Sequence, residues 1–177
     1  GAEVLAHEQS EALLPFKVDT VLRDGEEIIT DLKNGDIQRW HVIYTPGHTT
    51  DSISLFDAEA NLLFAGDFMY QGPLLAVLPN SSLGDYDQGA KHLSDVVNSE
   101  TKIYGAHRLY PPGAPVLGAS DLRDLQISLM KIKNGKQDTQ GLYPVIYPVN
   151  DEMTLWAEPP WLQNWETTYP DQKHTGN

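Results

Sequence analysis

Short apolar runs broken by turn residues fill the first part of the chain, and apolar stripes at helical spacing appear only further on. Val42-Ile43-Tyr44 is a strand-like run that Thr45-Pro46-Gly47 stops, which puts His48 at the tip of a turn. Ile53 and Leu55 alternate with Ser52 and Ser54, the period-2 mark of a half-buried strand. Leu62 to Ala65 is short enough for a buried strand and is broken by Gly66, with Asp67 next. Upstream, Gly1 to Ala6 predicts a short strand, Glu8 to Leu14 a brief helix closed by Pro15, and Val18 to Ile29 a strand with a turn at Asp24-Gly25. Asn34-Gly35 predicts the turn of a hairpin.

Downstream, Tyr86, Ala90, Leu93 and Val97 predict a helix over Asp85 to Asn98. Leu122, Leu125, Leu129 and Ile132 predict a second, starting near Ser120 or Asp121 and stopping at Asn134-Gly135. Lys102 to Gly105 reads as a short strand leading to His107. Leu74 to Leu78 falls in a long loop that reaches Gly84, the kind of loop that serves as a lid or binding segment. Tyr143 to Val149 suits an edge strand, because Pro144 and Pro148 cannot donate to a ladder. The tail around Trp156, Trp161 and Trp165 reads as irregular and packed onto its own domain or a second subunit. Strands interleaved with helices define an α/β class.

Composition narrows the partners. The 177 residues make one domain or a large part of a bigger one, and an apolar share of 40% can fill a core. No apolar stretch approaches the length of a membrane-crossing helix. A net charge of −13 argues against nucleic acid, whose phosphates need clustered Lys and Arg. With no cysteine, any metal site must be built from His, Asp and Glu.

His48 and Asp67 each follow the end of a strand, and loops at strand ends concentrate binding and catalytic residues. Each candidate also has a plain structural role open to it. His48 suits a turn bonded to backbone, Asp67 a helix N-cap, Tyr70 a half-buried tyrosine bonded locally, and Arg108 a surface ion pair. His7, His41 and His92 read as surface or packing residues.

Thr45-Pro46-Gly47-His48-Thr49, then Gly66-Asp67, then Gly105-Ala106-His107, in that order and each after a strand-like run, resemble the metallo-β-lactamase superfamily. The resemblance implies an αββα sandwich, two sheets back to back with helices outside and a metal site at one edge. It implies metal ligation by His48, Asp67 and His107, with Asp67 bridging two ions. It also implies a catalytic role for Asp67 and Tyr70 and substrate binding by Tyr70, while Arg108, next to His107, is read from its own chemistry as able to bind an anionic substrate group. The cofactor would be two divalent ions, zinc first, with iron or manganese as alternatives. Two ions roughly 3.5–4 Å apart acidify a water and polarise a carbonyl. The implied activity is therefore hydrolysis of a small-molecule ester, lactone or thioester, or a β-lactam, through a metal-bound hydroxide.

The motifs are closest to thioesterase-like and lactonase-like members; Asp51 stands where glyoxalase II-type proteins commonly carry glycine. The superfamily's first motif, His-x-His-x-Asp-His, is absent from the sequence. Residues 1–177 are thus expected to be the C-terminal portion of a single domain, without its opening strands and inactive alone. The expected partner is an N-terminal fragment of the same protein carrying the remaining ligands, with homo-oligomerisation left open. The alternative is a non-catalytic fragment or binding module that keeps the fold.

Overall fold

The computed structural model describes residues 2–10, 13–108 and 116–169. Ten strands and two helices follow in order: β1 (Leu5–His7), β2 (Thr20–Leu22), β3 (Glu27–Asp31), β4 (Ile37–Tyr44), β5 (Ile53–Asp57), β6 (Leu62–Gly66), β7 (Gly72–Ala76), α1 (Leu83–Ser94), β8 (Lys102–Gly105), α2 (Ala119–Lys133), β9 (Val145–Pro148) and β10 (Met153–Ala157). The main sheet has the order β3-β4-β5-β6-β8, antiparallel except for the parallel pair β6/β8. A second sheet, β7-β10-β9, pairs β10 parallel to β7 and antiparallel to β9. β1 and β2 form a short parallel pair.

The turns fall where the glycines predict. Gly25 and Gly35 take φ of +79° and +88°; the first turns the chain between β2 and β3, and the second builds the β3/β4 hairpin. α1 begins two residues before the expected start, because Ser82 is the cap: extended at φ −142°, it accepts the Asp85 amide at 3.2 Å. α2 likewise starts one residue early, at Ala119, and Asp121 reaches back to the Gly118 amide at 2.9 Å. The helix expected over residues 8–14 is a single 3₁₀ turn at Glu8–Ser10; Gly1, Glu11 and Ala12 lie outside the described residues.

Two expectations fail. The stretch Leu74 to Leu78 is not a loop: Leu74 and Ala76 are buried in β7. The tail is not irregular throughout, since Met153, Leu155 and Ala157 alternate as the buried face of β10. β7 pairs in parallel with β10, about 80 residues later, so it shows no local hairpin signal, and β10 pairs locally only with β9, where Pro148 ends the strand. Pro73 and Pro148 sit on β7 and β9, the two edges of this sheet, where a missing donor does least harm.

The core lies between one face of the main sheet, the two helices and the second sheet. Phe56, Leu63, Ala65 and Ile103 meet Tyr86, Leu93, Leu125 and Leu129 from the helices and Leu74 and Leu155 from the second sheet. No described helix is long and apolar enough to cross a membrane.

Candidate metal centre

β6 and β8 run parallel, Gly66 opposite Gly105, so their carboxyl ends open side by side. Beyond those ends stand Asp67 and His107. The ladder is irregular between Phe64 and Gly66, Gly66 takes φ +53°, and the Ala106 amide donates to the Gly66 carbonyl at 2.8 Å. This closes the two strand ends against each other and brings His107 Nε2 to 2.9 Å from Asp67 Oδ1. The ring N–H is not aligned with that oxygen, which is buried without a hydrogen bond among the described residues. Asp67 forms no helix cap; it sits in a turn where the Phe68 amide donates to the Ala65 carbonyl at 3.0 Å.

Gly105 makes this approach possible. A Cβ there would lie 2.3 Å from Tyr70 Cβ and 2.4 Å from the Met69 carbonyl. Tyr70 itself is buried, its ring edge-on to His107 at 5.1 Å, and its hydroxyl donates to the Pro73 carbonyl. Burial first, and then the Asp67 charge, push the Tyr70 hydroxyl up to about 12. Arg108 is exposed, makes a parallel bridge with Gln71, and has no ion pair among the described residues.

His48 stands on the turn after β4. Gly47, at φ +145°, bends the chain and donates to the Thr49 carbonyl at 3.1 Å. His48 Nδ1 is 3.0 Å from the Leu75 carbonyl. A carbonyl only accepts, so Nδ1 carries the proton and Nε2 is left as the basic nitrogen. Ser81 Oγ donates to the His48 carbonyl at 2.7 Å and fixes the turn from below. A neutral imidazole oriented by a carbonyl is how a histidine is prepared for a metal.

The structure therefore brings together Asp67 and His107 but does not gather His48 with them: among the described residues no group of three His, Cys, Asp or Glu side chains could hold an ion. The donors suit a divalent metal in kind: an unpartnered buried carboxylate oxygen beside one imidazole, and a second imidazole in the right tautomer. They fall short in number, because four ligands are usual for a firmly held ion. The pair is also open, with Asp67 and His107 side chains 36% and 55% exposed. A cleft of about 490 Å³, lined by residues including Leu78, Ser81, Glu158 and Asn164, includes neither of them.

Sequence reasoning missed Tyr86. It appears there only as part of an apolar stripe, yet its ring is the surface on which the His48 turn rests. A Cβ on Gly47 would fall 2.6 Å from Tyr86 Cγ, and the Phe68 ring, one residue past Asp67, lies 5.1 Å away.

This chain belongs to the metallo-beta-lactamase superfamily, whose sequence model matches residues 3–142. Among characterised relatives it is similar to the acyl-coenzyme A thioesterases MBLAC2 of Gallus gallus, 32% identical over 105 residues, and Homo sapiens, 33% over 99 residues. Those alignments cover 54% and 51% of this chain but only 36% and 34% of the relatives. In fold it is similar to a metallo-beta-lactamase from Pontibacter korlensis, with a TM-score of 0.54 over 73% of this chain and 59% of that one at 17% identity. ETHE1 from Myxococcus xanthus gives 0.51 over 63% and 46%, at 21% identity. The mixed sheets and flanking helices are those of this α/β sandwich fold.

Proposed function

We propose that this chain supplies part of the active site of a metal-dependent hydrolase that cleaves the thioester of an acyl-CoA or a similar small acyl compound. The observation that carries the reading is the Asp67–His107 pair at the carboxyl ends of adjacent parallel strands, with Asp67 Oδ1 buried and unpartnered. The thioesterase names of the aligned relatives favour a thioester over the lactone, ester or β-lactam that the same chemistry can open. Asp67, His107 and His48 would hold the metal, zinc by donor type, with iron or manganese compatible. When bound, two such ions acidify a water and polarise the scissile carbonyl.

The chain's own residues do the rest. Asp67 anchors both strand ends to the centre. Gly105 keeps Tyr70 and Met69 close enough for the Tyr70 ring to brace His107. Tyr70, with its hydroxyl given to Pro73, orients the loop; a contact with substrate requires that bond to break. Arg108, exposed three residues past the strand end, is placed to meet an anionic group such as a phosphate.

The remaining ligands, in this proposal, come from a further polypeptide segment that packs on the open aromatic face of the main sheet. There the Phe64 ring lies 5.5 Å from Trp40 and 5.9 Å from Tyr104. The same face favours a second reading, a binding module that keeps the fold without turnover. The test is thiol release from an acyl-CoA by preparations with and without such a segment. Under the hydrolase reading, turnover needs both the segment and metal, and Asp67→Asn or His107→Ala lowers it by more than the roughly 10–100-fold typical of an outer-shell partner. Full turnover by Asp67→Asn, or none in any metal-loaded complex, would leave the binding module.

A further inference from the structure

We propose that the cleft between the β7–α1 connection and the tail after β10 binds a small organic cation, a protonated amine carrying a short apolar chain. This goes beyond the hydrolase reading and does not depend on a metal. The cleft holds about 490 Å³, a size usual for small-molecule sites. One wall runs from Ala76 to Leu83 and the other from Glu158 to Asn164, with the exposed Tyr143 beside them. The Leu83 amide donates to the Asn164 carbonyl at 2.8 Å and ties the two walls together. Gln163 Nε2 donates to the Glu158 carbonyl at 2.9 Å and to the Tyr147 hydroxyl at 2.7 Å, which fixes the second wall.

The lining selects the sign of the ligand's charge. Ser81 Oγ donates to the His48 carbonyl and accepts the Leu78 amide, and Gln163 Oε1 accepts from Trp165 Nε1 at 3.3 Å, so both side chains are already engaged. Glu158 has a single bond, from the Tyr143 hydroxyl at 3.2 Å, and no ion pair among the described residues. It is the one charged side chain in the described lining, which holds no Lys, Arg or His. An anion would meet that carboxylate with no counter-charge. A protonated amine would pair with it and find the Tyr143 ring alongside, and a carboxylate and an aromatic face both attract an ammonium. The remainder is apolar. The four most exposed large apolar side chains among the described residues, Leu142, Trp161, Tyr143 and Leu162, are between 62% and 90% exposed. Tyr143 and Leu162 line the cleft, and Leu142 and Trp161 are their chain neighbours. Apolar surface gathered in water at one place marks a binding groove. A chain of net charge −13 draws cations rather than anions towards it.

The test is calorimetric titration of the 177-residue chain with hexylamine, which is protonated at neutral pH, and in parallel with hexanoate and hexanol. Salt at about 0.15 M screens attraction to the overall charge. Hexylamine should bind at a single saturable site, hexanol more weakly and hexanoate not at all. Glu158→Gln keeps an acceptor for Tyr143 and removes the charge, so hexylamine affinity should fall roughly 10-fold or more with hexanol binding and Tm unchanged. Tyr143→Leu, at an exposed position, keeps an apolar side chain and should weaken hexylamine by a smaller factor; it carries the test if the first variant fails to fold. Hexanoate binding as tightly as hexylamine would overturn the proposal. Equal hexylamine affinity in the wild-type chain and Glu158→Gln would overturn it too, placing the amine elsewhere on the acidic surface. So would the lack of any saturable hexylamine binding, which would leave the apolar rim to a macromolecular partner.

Discussion

The two faces of the main sheet are made from the same strands, one residue apart, and they meet different surroundings. On one face His41 pairs with Phe56, Phe56 with Leu63 and Leu63 with Ile103, and the helices cover them so that Leu63 and Ile103 are 0% exposed. On the other, Trp40, Leu55, Phe64 and Tyr104 form an equally apolar row, yet Phe64 is 42% exposed and its neighbours are only half-buried. Alternation alone would call for a polar second face. A strand apolar on both sides is the pattern of a layer buried on both sides, and here one of the two covers is in place. The candidate centre sits at the end of this sheet, so the asymmetry bears on function as much as on stability.

The sharpest way to break the comparison is on the covered face. Leu63→Ala should cost about 2–5 kcal/mol, because the cavity lies among Phe56, Ile103 and the helices; chemical denaturation measures it. At the sheet end, which belongs to neither face, Gly105→Ala must move backbone at Tyr70 and Met69 and should cost roughly 1–3 kcal/mol. It should also separate His107 from Asp67, visible as weaker metal binding by titration. On the open face, Phe64→Ser should cost no more than about 1 kcal/mol, since much of the ring is already in water. If Phe64→Ser proved as damaging as Leu63→Ala, the two faces would be equivalent and the proposed covering segment unnecessary.

The smallest effect expected is pH-dependent. His92, near the end of α1, lies 3.0 Å from Asp24 in the β2–β3 turn. The hydrogen bond that His92 donates to Asp24 raises His92 above 6.5, against burial; the Asp24 and Asp95 charges add to the rise. Burial would raise Asp24, but hydrogen bonds from His92 and the Tyr44 amide bring it below 3.8. The His92 contribution is complete below 6.5 and is lost as pH rises through its raised value. The Asp24 contribution is present above 3.8 and is lost as pH falls through its lowered value. His92→Gln should therefore destabilise more at a pH between 3.8 and 6.5 than at a pH well above the raised His92 value, and added salt should shrink the difference, because both groups are part-exposed. Melting curves at the two pH values measure it.

How much could be read from the chain depends on whether the deciding contact is local. The Thr45-Pro46-Gly47 turn was legible because a proline and a positive-φ glycine act on their own neighbours. Asp67 and His107 were legible because each follows a short apolar strand, and their meeting follows once β6 and β8 run parallel. β7 was not legible as a strand, since its partner β10 lies about 80 residues further on, and β10 was hidden by the prolines and tryptophans around it. Nor could the sequence show that Tyr70 gives its hydroxyl to Pro73, or that Tyr86 lies beneath Gly47: both depend on packing between elements. The Gly105 signal was present, but its reason, the backbone of Met69 and Tyr70 pressed against it, is visible only in three dimensions.

The start of α1 is finished by residues from far along the chain. The Leu83 amide donates to the Asn164 carbonyl at 2.8 Å, Ser82 Oγ to the Glu166 carbonyl at 2.5 Å, and Asp85 Oδ1 accepts the Thr168 amide at 2.6 Å. Gly84 has no side chain because the carbonyls of Trp165 and Glu166 lie where its Cβ would be. On a ribosome, the helix that carries Tyr86 emerges well before the segment that secures its first turn. During that interval the His48 turn and the Phe68 ring, both packed on Tyr86, rest on an unfinished support, and a chain stalled before Asn164 would lose that footing before it lost its core.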